Sequence, residues 1–228
     1  LTIKNTGIAN ITGTGTTLVY GITLQSSASN SCDISDNTIG GINGGGTVYG
    51  IYITSAATAN IYNNRVSSLA TTGSSSSVRG IYLTATGLNA NVYNNRVHII
   101  SSSGVTTTTA AGIDVGTGLV YNIYNNMVSD IEAPSSTTTT GGTRGISVSG
   151  GSTGGVVRLY YNSIYLNGLG TVAGYTSAGI HNSSATPTLD LRNNIVVNKS
   201  DITTGTRVAA FWKTAATDNV DNNSNNNL

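Results

Sequence analysis

The stretch that decides the fold is 80–100, GIYLTATGLNANVYNNRVHII. It begins with a short apolar strand, continues through a small loop into a second strand that ends in Asn94-Asn95, and closes with a third short strand. The same pattern precedes it at 50–69, GIYITSAATANIYNNRVSSL, and follows it at 112–131, GIDVGTGLVYNIYNNMVSDI. The chain is therefore built from repeats of one unit that contains three short strands.

A glycine marks the start of the first strand in most of the repeats. The starts are Gly21, Gly50, Gly80, Gly112, Gly145 and Gly179, with Ala210 as the seventh. The period is roughly 32 residues, and periods of roughly 20 to 50 residues are typical of solenoids, propellers and arrays. Apolar residues alternate with polar ones and no 3.6-residue period appears, which indicates strands.

Three very short strands per unit favour a parallel β-helix, because a propeller blade needs four strands and a larger aromatic core. The predicted fold is all-β, a single-stranded right-handed parallel β-helix (a β-solenoid) of about seven coils. Coils that stack at the strand spacing of about 4.8 Å make a rod on the order of 35 Å long. We expect one domain over 1–228, and both ends look like incomplete coils of a longer repeat protein.

The alternation also assigns side chains to the inside or the outside of the coil. In the second repeat, Ile51 is predicted inside and Tyr52 outside. In the next strand, Ile61 and Asn63 are predicted inside and Tyr62 outside. Cys32 aligns with small residues of other coils and is predicted to be a buried apolar side chain.

A recurring asparagine is predicted to turn the corner after the second strand, because Asn tolerates the left-handed backbone region. Stacked asparagine amides can also hydrogen-bond from coil to coil. The predicted corner ladder contains Asn37, Asn64, Asn95, Asn126, Asn162, Asn194 and Asn223. This ladder explains the Asn-Asn pairs better than a role as ligands or glycan sites.

Composition limits the function. Only 8% of the residues are charged and the net charge is +1. There is no basic field that would hold a nucleic acid. No run of about 18 apolar residues occurs, so no membrane span is predicted. The threonine runs at 106–109 and 137–140 are expected at the surface, in loops on one side of the solenoid.

The outward positions of the first strand are candidates for chemistry. They are Thr23, Tyr52, Tyr82, Asp114, Ser147, His181 and Trp212. Tyr52, Tyr82 and Trp212 can stack on sugar rings, and Asp114 and His181 are candidates for an acid or a base. Glycoside hydrolysis generally needs two carboxylates roughly 5 to 10 Å apart, and no such pair can be assembled. The alternative is a strand face with packing between coils.

Tyrosines also recur on the outer face of the second strand, at Tyr62, Tyr93, Tyr124 and Tyr160. They form either a ladder that shields the strands or a strip that binds sugar or a partner. Asp130 and Glu132 are a close pair of carboxylates at the start of a variable loop and are candidates for a calcium site; the alternative is a solvated loop edge. Otherwise no cofactor is expected.

The motifs GIYI…IYNNRV, GIYL…VYNNRV and GIDV…IYNNMV resemble the right-handed parallel β-helix repeats of the pectate-lyase-like superfamily. More narrowly, the chain is similar to the Asn- and Thr-rich repeats of large secreted surface proteins of gliding, Bacteroidetes-type bacteria. The resemblance implies an extracellular or cell-surface location. Enzymes of the superfamily use acidic calcium ligands and a basic residue on the first-strand face. Only Asp114 falls there, without companions, so their activity is not carried over.

The expected function is a non-catalytic structural or adhesive segment: a stalk, a filament or a surface adhesin. The expected partners are neighbouring domains of the same chain, surface polysaccharide or a second copy joined end to end, because open coil ends expose strand edges. The alternative is a polysaccharide lyase or glycoside hydrolase, or a carbohydrate-binding module, that acts on the first-strand face.

Overall fold

A computed structural model describes residues 1–25, 31–202, 207–216 and 218–228. These residues form 23 strands. In chain order, they are β1 (Thr2–Lys4), β2 (Gly7–Thr12), β3 (Val19–Leu24), β4 (Ser31–Ser35), β5 (Thr38–Gly44), β6 (Val48–Ile53), β7 (Thr58–Tyr62), β8 (Arg65–Thr71), β9 (Val78–Leu83), β10 (Asn89–Tyr93), β11 (Arg96–Ser102), β12 (Ala110–Val115), β13 (Val120–Tyr124), β14 (Met127–Glu132), β15 (Thr143–Val148), β16 (Val156–Tyr160), β17 (Ser163–Leu166), β18 (Leu169–Gly170), β19 (Thr176–Asn182), β20 (Thr188–Arg192), β21 (Ile195–Asn198), β22 (Asp201–Ile202) and β23 (Arg207–Lys213). No helix in the described residues is long and apolar enough to cross a membrane.

The strands build three parallel sheets of seven strands each, and the chain visits the sheets in turn. Sheet I has the order β3-β6-β9-β12-β15-β19-β23, sheet II β1-β4-β7-β10-β13-β16-β20, and sheet III β2-β5-β8-β11-β14-β17-β21. Strands β18 and β22 form a short fourth sheet. The predicted parallel β-solenoid of about seven coils is therefore confirmed, and paired residues of neighbouring strands in sheet I are 29 to 34 positions apart.

The core is an apolar stack that runs along the solenoid. Ile51, Ile61 and Val66 come from the three sheets of one coil, and each is fully buried. Cys32 pairs in register with Ala59 and is 1% exposed, as predicted. Burial raises the pKa of the Cys32 thiol to about 11, so this side chain behaves as a small apolar residue.

The first-strand glycines are needed because two coils approach closely at this point. A Cβ on Gly80 would lie 2.5 Å from the carbonyl oxygen of Gly112 and 2.4 Å from a methyl carbon of Val97. Both distances are shorter than any real contact of a Cβ atom. The glycine therefore permits this close approach, and the residues on both sides of it stay paired with the neighbouring strands.

The amide ladder runs through the corner between sheets II and III. The Oδ1 atom of Asn95 accepts from the backbone N–H and the Nδ2 of Asn64, each at 3.0 Å. Its Nδ2 donates to the Oδ1 of Asn126 at 3.0 Å and to the carbonyl of Ile61 at 2.8 Å. The same bonds recur from Asn37 to Asn194, so each of these buried amides is satisfied.

Two details of the predicted corner were wrong. The left-handed residue is the one before the ladder asparagine: Asn63 has φ 54 and is exposed, so it does not point inward. The ladder continues after Asn194 through Asn227, which accepts from the Nδ2 of Asn194 at 2.8 Å. Asn223 is exposed and bonds to Asp221 instead, because a turn at 222–223 shifts the last coil.

The threonine-rich loops are more buried than predicted. Thr108 is fully buried and Thr138 is 9% exposed. The hydroxyl of Ser136 donates to the carbonyl of Thr108 at 2.7 Å. The hydroxyl of Thr176 donates to the carbonyl of Thr138 at 2.7 Å. These loops therefore stack from coil to coil through side-chain hydroxyls and lie only partly at the surface.

Candidate functional site

The strand register brings the predicted first-strand residues into one row on the outer face of sheet I. The row contains Thr23, Tyr52, Tyr82, Asp114, Ser147, His181 and Trp212, each paired with the next. The predicted alignment is therefore confirmed, but the expected open face is wrong over its middle. Asp114, Ser147 and His181 are fully buried, and Trp212 is 9% exposed. The side chains of Arg79 and Arg144 and the loop 137–142 lie over this middle part.

Tyrosines occupy the N-terminal end of this face. The rings of Tyr52 and Tyr82 stack at 5.4 Å, with an angle of 6° between their planes. Tyr49, on the same strand as Tyr52, stacks on Tyr52 at 4.4 Å. Tyr20 stacks on both Tyr49 and Tyr52. Burial, the largest cause, raises the pKa of Tyr49 and of Tyr52, so these phenols stay neutral. Tyr52 and Tyr82 are only half-buried and keep part of their surface free for a ligand.

Asp114 is held in an ion pair. Its Oδ2 accepts from Arg79 Nε at 2.8 Å, and its Oδ1 accepts from the hydroxyl of Ser149 at 2.8 Å. The Arg79 guanidinium lies 4.6 Å from the Tyr82 ring centre. Burial alone would lower the pKa of Arg79, but the charge of Asp114 and its hydrogen bond raise it above the usual value. Both carboxylate oxygens are therefore engaged, which suits a structural role better than general acid or base chemistry.

Arg144 and His181 lie beyond this pair. Arg144 is 9% exposed, and His181 has no partner among the described residues for either ring nitrogen. Burial lowers the pKa of Arg144. Burial, and then the charge of Arg144, lower the pKa of His181 to about 4, against an opposing effect of Asp114. His181 is therefore neutral at physiological pH.

Trp212 closes the row at the C-terminal end. Its ring meets His181 edge to face at 5.3 Å, and the Arg207 guanidinium lies 4.5 Å from its centre. His181 and Arg207 thus engage part of the indole. Trp212 can contribute to a ligand site at this end only through the small part of its surface that remains open.

The tyrosines of sheet II form a regular stack. Tyr62, Tyr93 and Tyr124 follow one another at 4.9 Å with ring planes within 2°. Tyr160 is paired in register with Tyr124, but its hydroxyl donates to Asp190 at 2.5 Å and Arg192 lies 5.5 Å from its ring. All four rings are half-buried. They shield the strands and also offer partly open ring faces.

A second row of amides beside these tyrosines was missed from the sequence. Asn60 donates to Asp33 at 2.8 Å, Asn91 to Asn60 at 2.9 Å, and Asn122 to Asn91 at 3.0 Å. Arg158 donates to Asn122 at 3.1 Å and ends the row. The signal was present as an asparagine two residues before each of three tyrosines, Tyr62, Tyr93 and Tyr124. This outer amide row has an anion at one end and a cation at the other.

The two candidate calcium ligands lie elsewhere, on sheet III. Asp130 and Glu132 are exposed and line a concavity of about 140 Å³ together with Asn167. The hydroxyl of Ser129 donates to Asp130 at 2.8 Å. In the described part of the chain, no group of three or more His, Cys, Asp or Glu side chains is placed to hold a metal ion. The pair therefore supplies at most two protein carboxylates.

Comparisons of the chain with family models, with curated proteins and with solved structures gave no match. The resemblance noted above therefore rests on the sequence motifs alone.

Proposed function

We propose that this chain is a non-catalytic, extracellular β-solenoid segment that serves as a stalk, filament or adhesin in a larger surface protein. The observation that carries the proposal is the amide ladder, which links coil to coil from Asn37 to Asn227. Each coil contacts only its neighbours. Because the ladder places hydrogen bonds between each pair of neighbouring coils, we expect it to resist bending and local opening. A long, stiff spacer is what such a molecule supplies.

The proposal includes the finer family assignment. The glycine-led first strands and the Tyr-Asn-Asn corners support a place among the right-handed β-helix repeats of the pectate-lyase-like superfamily, in a surface protein of a Bacteroidetes-type bacterium. The low charge supports a crowded, neutral surface. Neighbouring domains of the same chain, or copies that join end to end, are the structural partners that we propose.

One experiment tests this proposal directly. Purified protein is incubated with acidic and neutral polysaccharides, with and without calcium, and polymer length is read by size-exclusion chromatography. We expect polymer of unchanged length. Shortened polymer would contradict the non-catalytic proposal and favour a lyase or a hydrolase. Polymer that co-elutes unshortened with the protein would favour the adhesin over the plain stalk.

Carbohydrate binding along sheet II is a second candidate function, favoured by the tyrosine stack beside the outer amide row. The rings repeat there at 4.9 Å and the amides beside them bond from coil to coil, so a chain-like ligand would meet the same contacts on successive coils. Stacking on aromatic faces and hydrogen bonds to amides are the interactions that sugars use.

The substitution Tyr93→Ala tests this second function. If sheet II binds a polysaccharide, Tyr93→Ala should weaken its co-sedimentation with the protein about tenfold, because the middle ring of the stack is lost. Tyr165→Ala is the matched control, since Tyr165 is an exposed tyrosine on sheet III. Equal binding by both variants would exclude the tyrosine stack as the binding surface.

A further inference from the structure

Loop 137–142 lies against the outer face of sheet I, where Arg144 binds its carbonyls and the hydroxyl of Thr176 accepts from the N–H groups of Gly141 and Gly142. Arg144 donates from Nε to the carbonyl of Gly141 at 2.6 Å and from Nη2 to the carbonyl of Thr140 at 3.3 Å. Its Nη1 lies 3.4 Å from the hydroxyl oxygen of Ser147. All three acceptors are neutral. The guanidinium fork is thus filled by oxygen atoms that carry no full charge.

Arg144 has no ion-pair partner of its own, although the nearby charge of Asp114 opposes the lowering of its pKa by burial. Ion pairs within the described part of the chain include Lys4–Asp36, Arg79–Asp114, Arg192–Asp190 and Lys213–Asp218. Arg144 belongs to none of them, although it is 9% exposed. The oxygens of Asp114 are already taken by Arg79 and Ser149. A buried cation without a partner is costly, so this position calls for an anion.

His181 lies beside the same part of loop 137–142 as Arg144. It is fully buried and neither ring nitrogen has a hydrogen-bond partner among the described residues. Gly141 lies over it with φ 97. A Cβ on Gly141 would be 3.1 Å from Arg144 Nε and 3.3 Å from His181 Nε2. Arg144 Nε and His181 Nε2 therefore face the same place beside Gly141, from opposite members of the neighbouring strands β15 and β19.

We propose that Arg144, His181 and Ser147 form a binding site for an oxyanion, which the carbonyls of Thr140 and Gly141 occupy while loop 137–142 lies across it. A carboxylate or sulfate group that enters the site takes the place of these carbonyls on the guanidinium. The planar fork of arginine matches such groups in a bidentate manner. The imidazole supplies a further N–H donor. The loop lifts when the anion binds.

The anion is either free in solution or carried on a saccharide. The face on both sides of the site is aromatic, with Tyr82 two strands away on one side and Trp212 on the adjacent strand on the other. This arrangement suits an anionic sugar as well as a free ion. The inference is independent of the rod function, because a stiff solenoid without the anion site remains a rod.

The test is calorimetric titration of the wild-type chain and of Arg144→Gln with sodium acetate, sodium sulfate and sodium glucuronate at constant ionic strength. We expect saturable binding of at least one anion, weakened about 10- to 100-fold in Arg144→Gln, because a charge-assisted hydrogen bond is lost. Arg96→Gln, which removes an exposed arginine from sheet III, should bind like the wild type. Tighter binding of glucuronate than of acetate identifies a saccharide as the source of the anion, and equal binding identifies a free ion.

A second variant keeps the proposal falsifiable if Arg144→Gln folds poorly. In Gly141→Ala, the added methyl group meets the two nitrogens and the residue must hold φ 97, so the closed loop is strained. We expect a lower thermal midpoint without anion and binding of the anion several-fold tighter than in the wild type, because the open state is more populated. A lower midpoint without any saturable anion binding in either protein would overturn the proposal and leave Arg144 as a clamp on the loop.

Discussion

At the scale of single residues, the buried amides explain why asparagine recurs at one position in every coil. An amide has two acceptor sites and two donors, and Asn95 uses all four on the coils before and after its own. An aspartate has no donor and a serine is too short to span two coils. The side chain that turns up in each repeat is therefore the one that satisfies both neighbours at once.

The ladder can be tested by the substitution Asn95→Ala. The variant leaves the buried N–H of Asn64 and the carbonyl of Ile61 without their partners, so we expect a loss of about 3 to 5 kcal/mol in the free energy of unfolding. Chemical denaturation followed by circular dichroism measures it. Asn223→Ala is the control, since the exposed Asn223 lies outside the ladder, and it should change stability by less than about 0.5 kcal/mol. Similar losses in both variants would contradict the ladder as described.

His181 predicts a pH dependence of stability. Its pKa in the folded chain is about 4, against 6.5 for the unperturbed group. Between these values the unfolded chain binds a proton that the folded chain does not. Stability is therefore complete above about pH 6.5, falls as the pH decreases, and has lost about 3 kcal/mol by pH 4. Arg144 and Asp114 are the charged groups that act on this imidazole.

The measurement is the thermal midpoint between pH 7.5 and 4 for the wild type and for His181→Gln. The variant removes the titrating group, so its midpoint should fall less over this range. Other groups, including His98, remain in both proteins and cancel in the difference. Parallel curves for the two proteins would show that His181 does not titrate with a depressed pKa.

At the scale of the strand, the glycines of sheet I set the distance between coils. Gly80 and its equivalents face the carbonyl of the residue at the same position in the next coil, which is a glycine in all of them except Ala210, and no side chain fits between them. In sheet III, the extended backbone is interrupted at Ser68, Ile99 and Asp130, which have φ between 54 and 57. Ile99 is a β-branched residue in this region, which is unfavourable by itself. The register of neighbouring coils therefore overrides its local preference.

The substitution Gly80→Ala tests the close approach of the coils. Its methyl group would overlap with the carbonyl of Gly112 and with Val97, so we expect a loss of about 2 to 3 kcal/mol in unfolding free energy. Gly7→Ala is the matched control, because a Cβ on Gly7 meets nothing within 4 Å. Equal stability of Gly80→Ala and the wild type, measured by urea unfolding, would show that the coils can separate without penalty.

At the scale of the whole molecule, the solenoid is a stack in which each coil contacts only its neighbours. The three sheets keep the same register from one end to the other. Such a molecule gains or loses whole coils without a change of fold, whereas a partial coil puts every later strand in the wrong sheet.

Deletion of residues 49–78 tests this property. The deletion joins Val48 to Arg79, so that Val48 takes the place of Val78, its register partner in the next coil. The Arg79–Asp114 ion pair is kept. We expect the same circular dichroism per residue, one cooperative transition and a thermal midpoint a few degrees lower. Deletion of half of this segment, 49–63, should give an unfolded or aggregated chain. A folded half-coil deletion would contradict the three-sheet register.

Much of the fold could be predicted from the sequence because every coil repeats the same local constraints. Glycine at the close approach, alternating apolar residues and the asparagine before the third strand occur in nearly every repeat. The position of the ladder after Asn194 could not be predicted, because both Asn223 and Asn227 suit it and only the turn at 222–223 selects Asn227. The sequence contains the recurring asparagines of the outer amide row. It does not show how exposed they are, or that Asp33 and Arg158 lie at the two ends of the row.

The sequence alone determined the all-β solenoid, the number of coils and the alignment of the row from Thr23 to Trp212, because these follow from period and alternation. Only the tertiary structure decided what that row can do. Its accessibility depends on loop 137–142 and on the side chains of Arg79 and Arg144, neither of which belongs to the row. The Arg79–Asp114 ion pair and the cover of His181 by Gly141 join residues that are far apart in the sequence, and no local pattern encodes them.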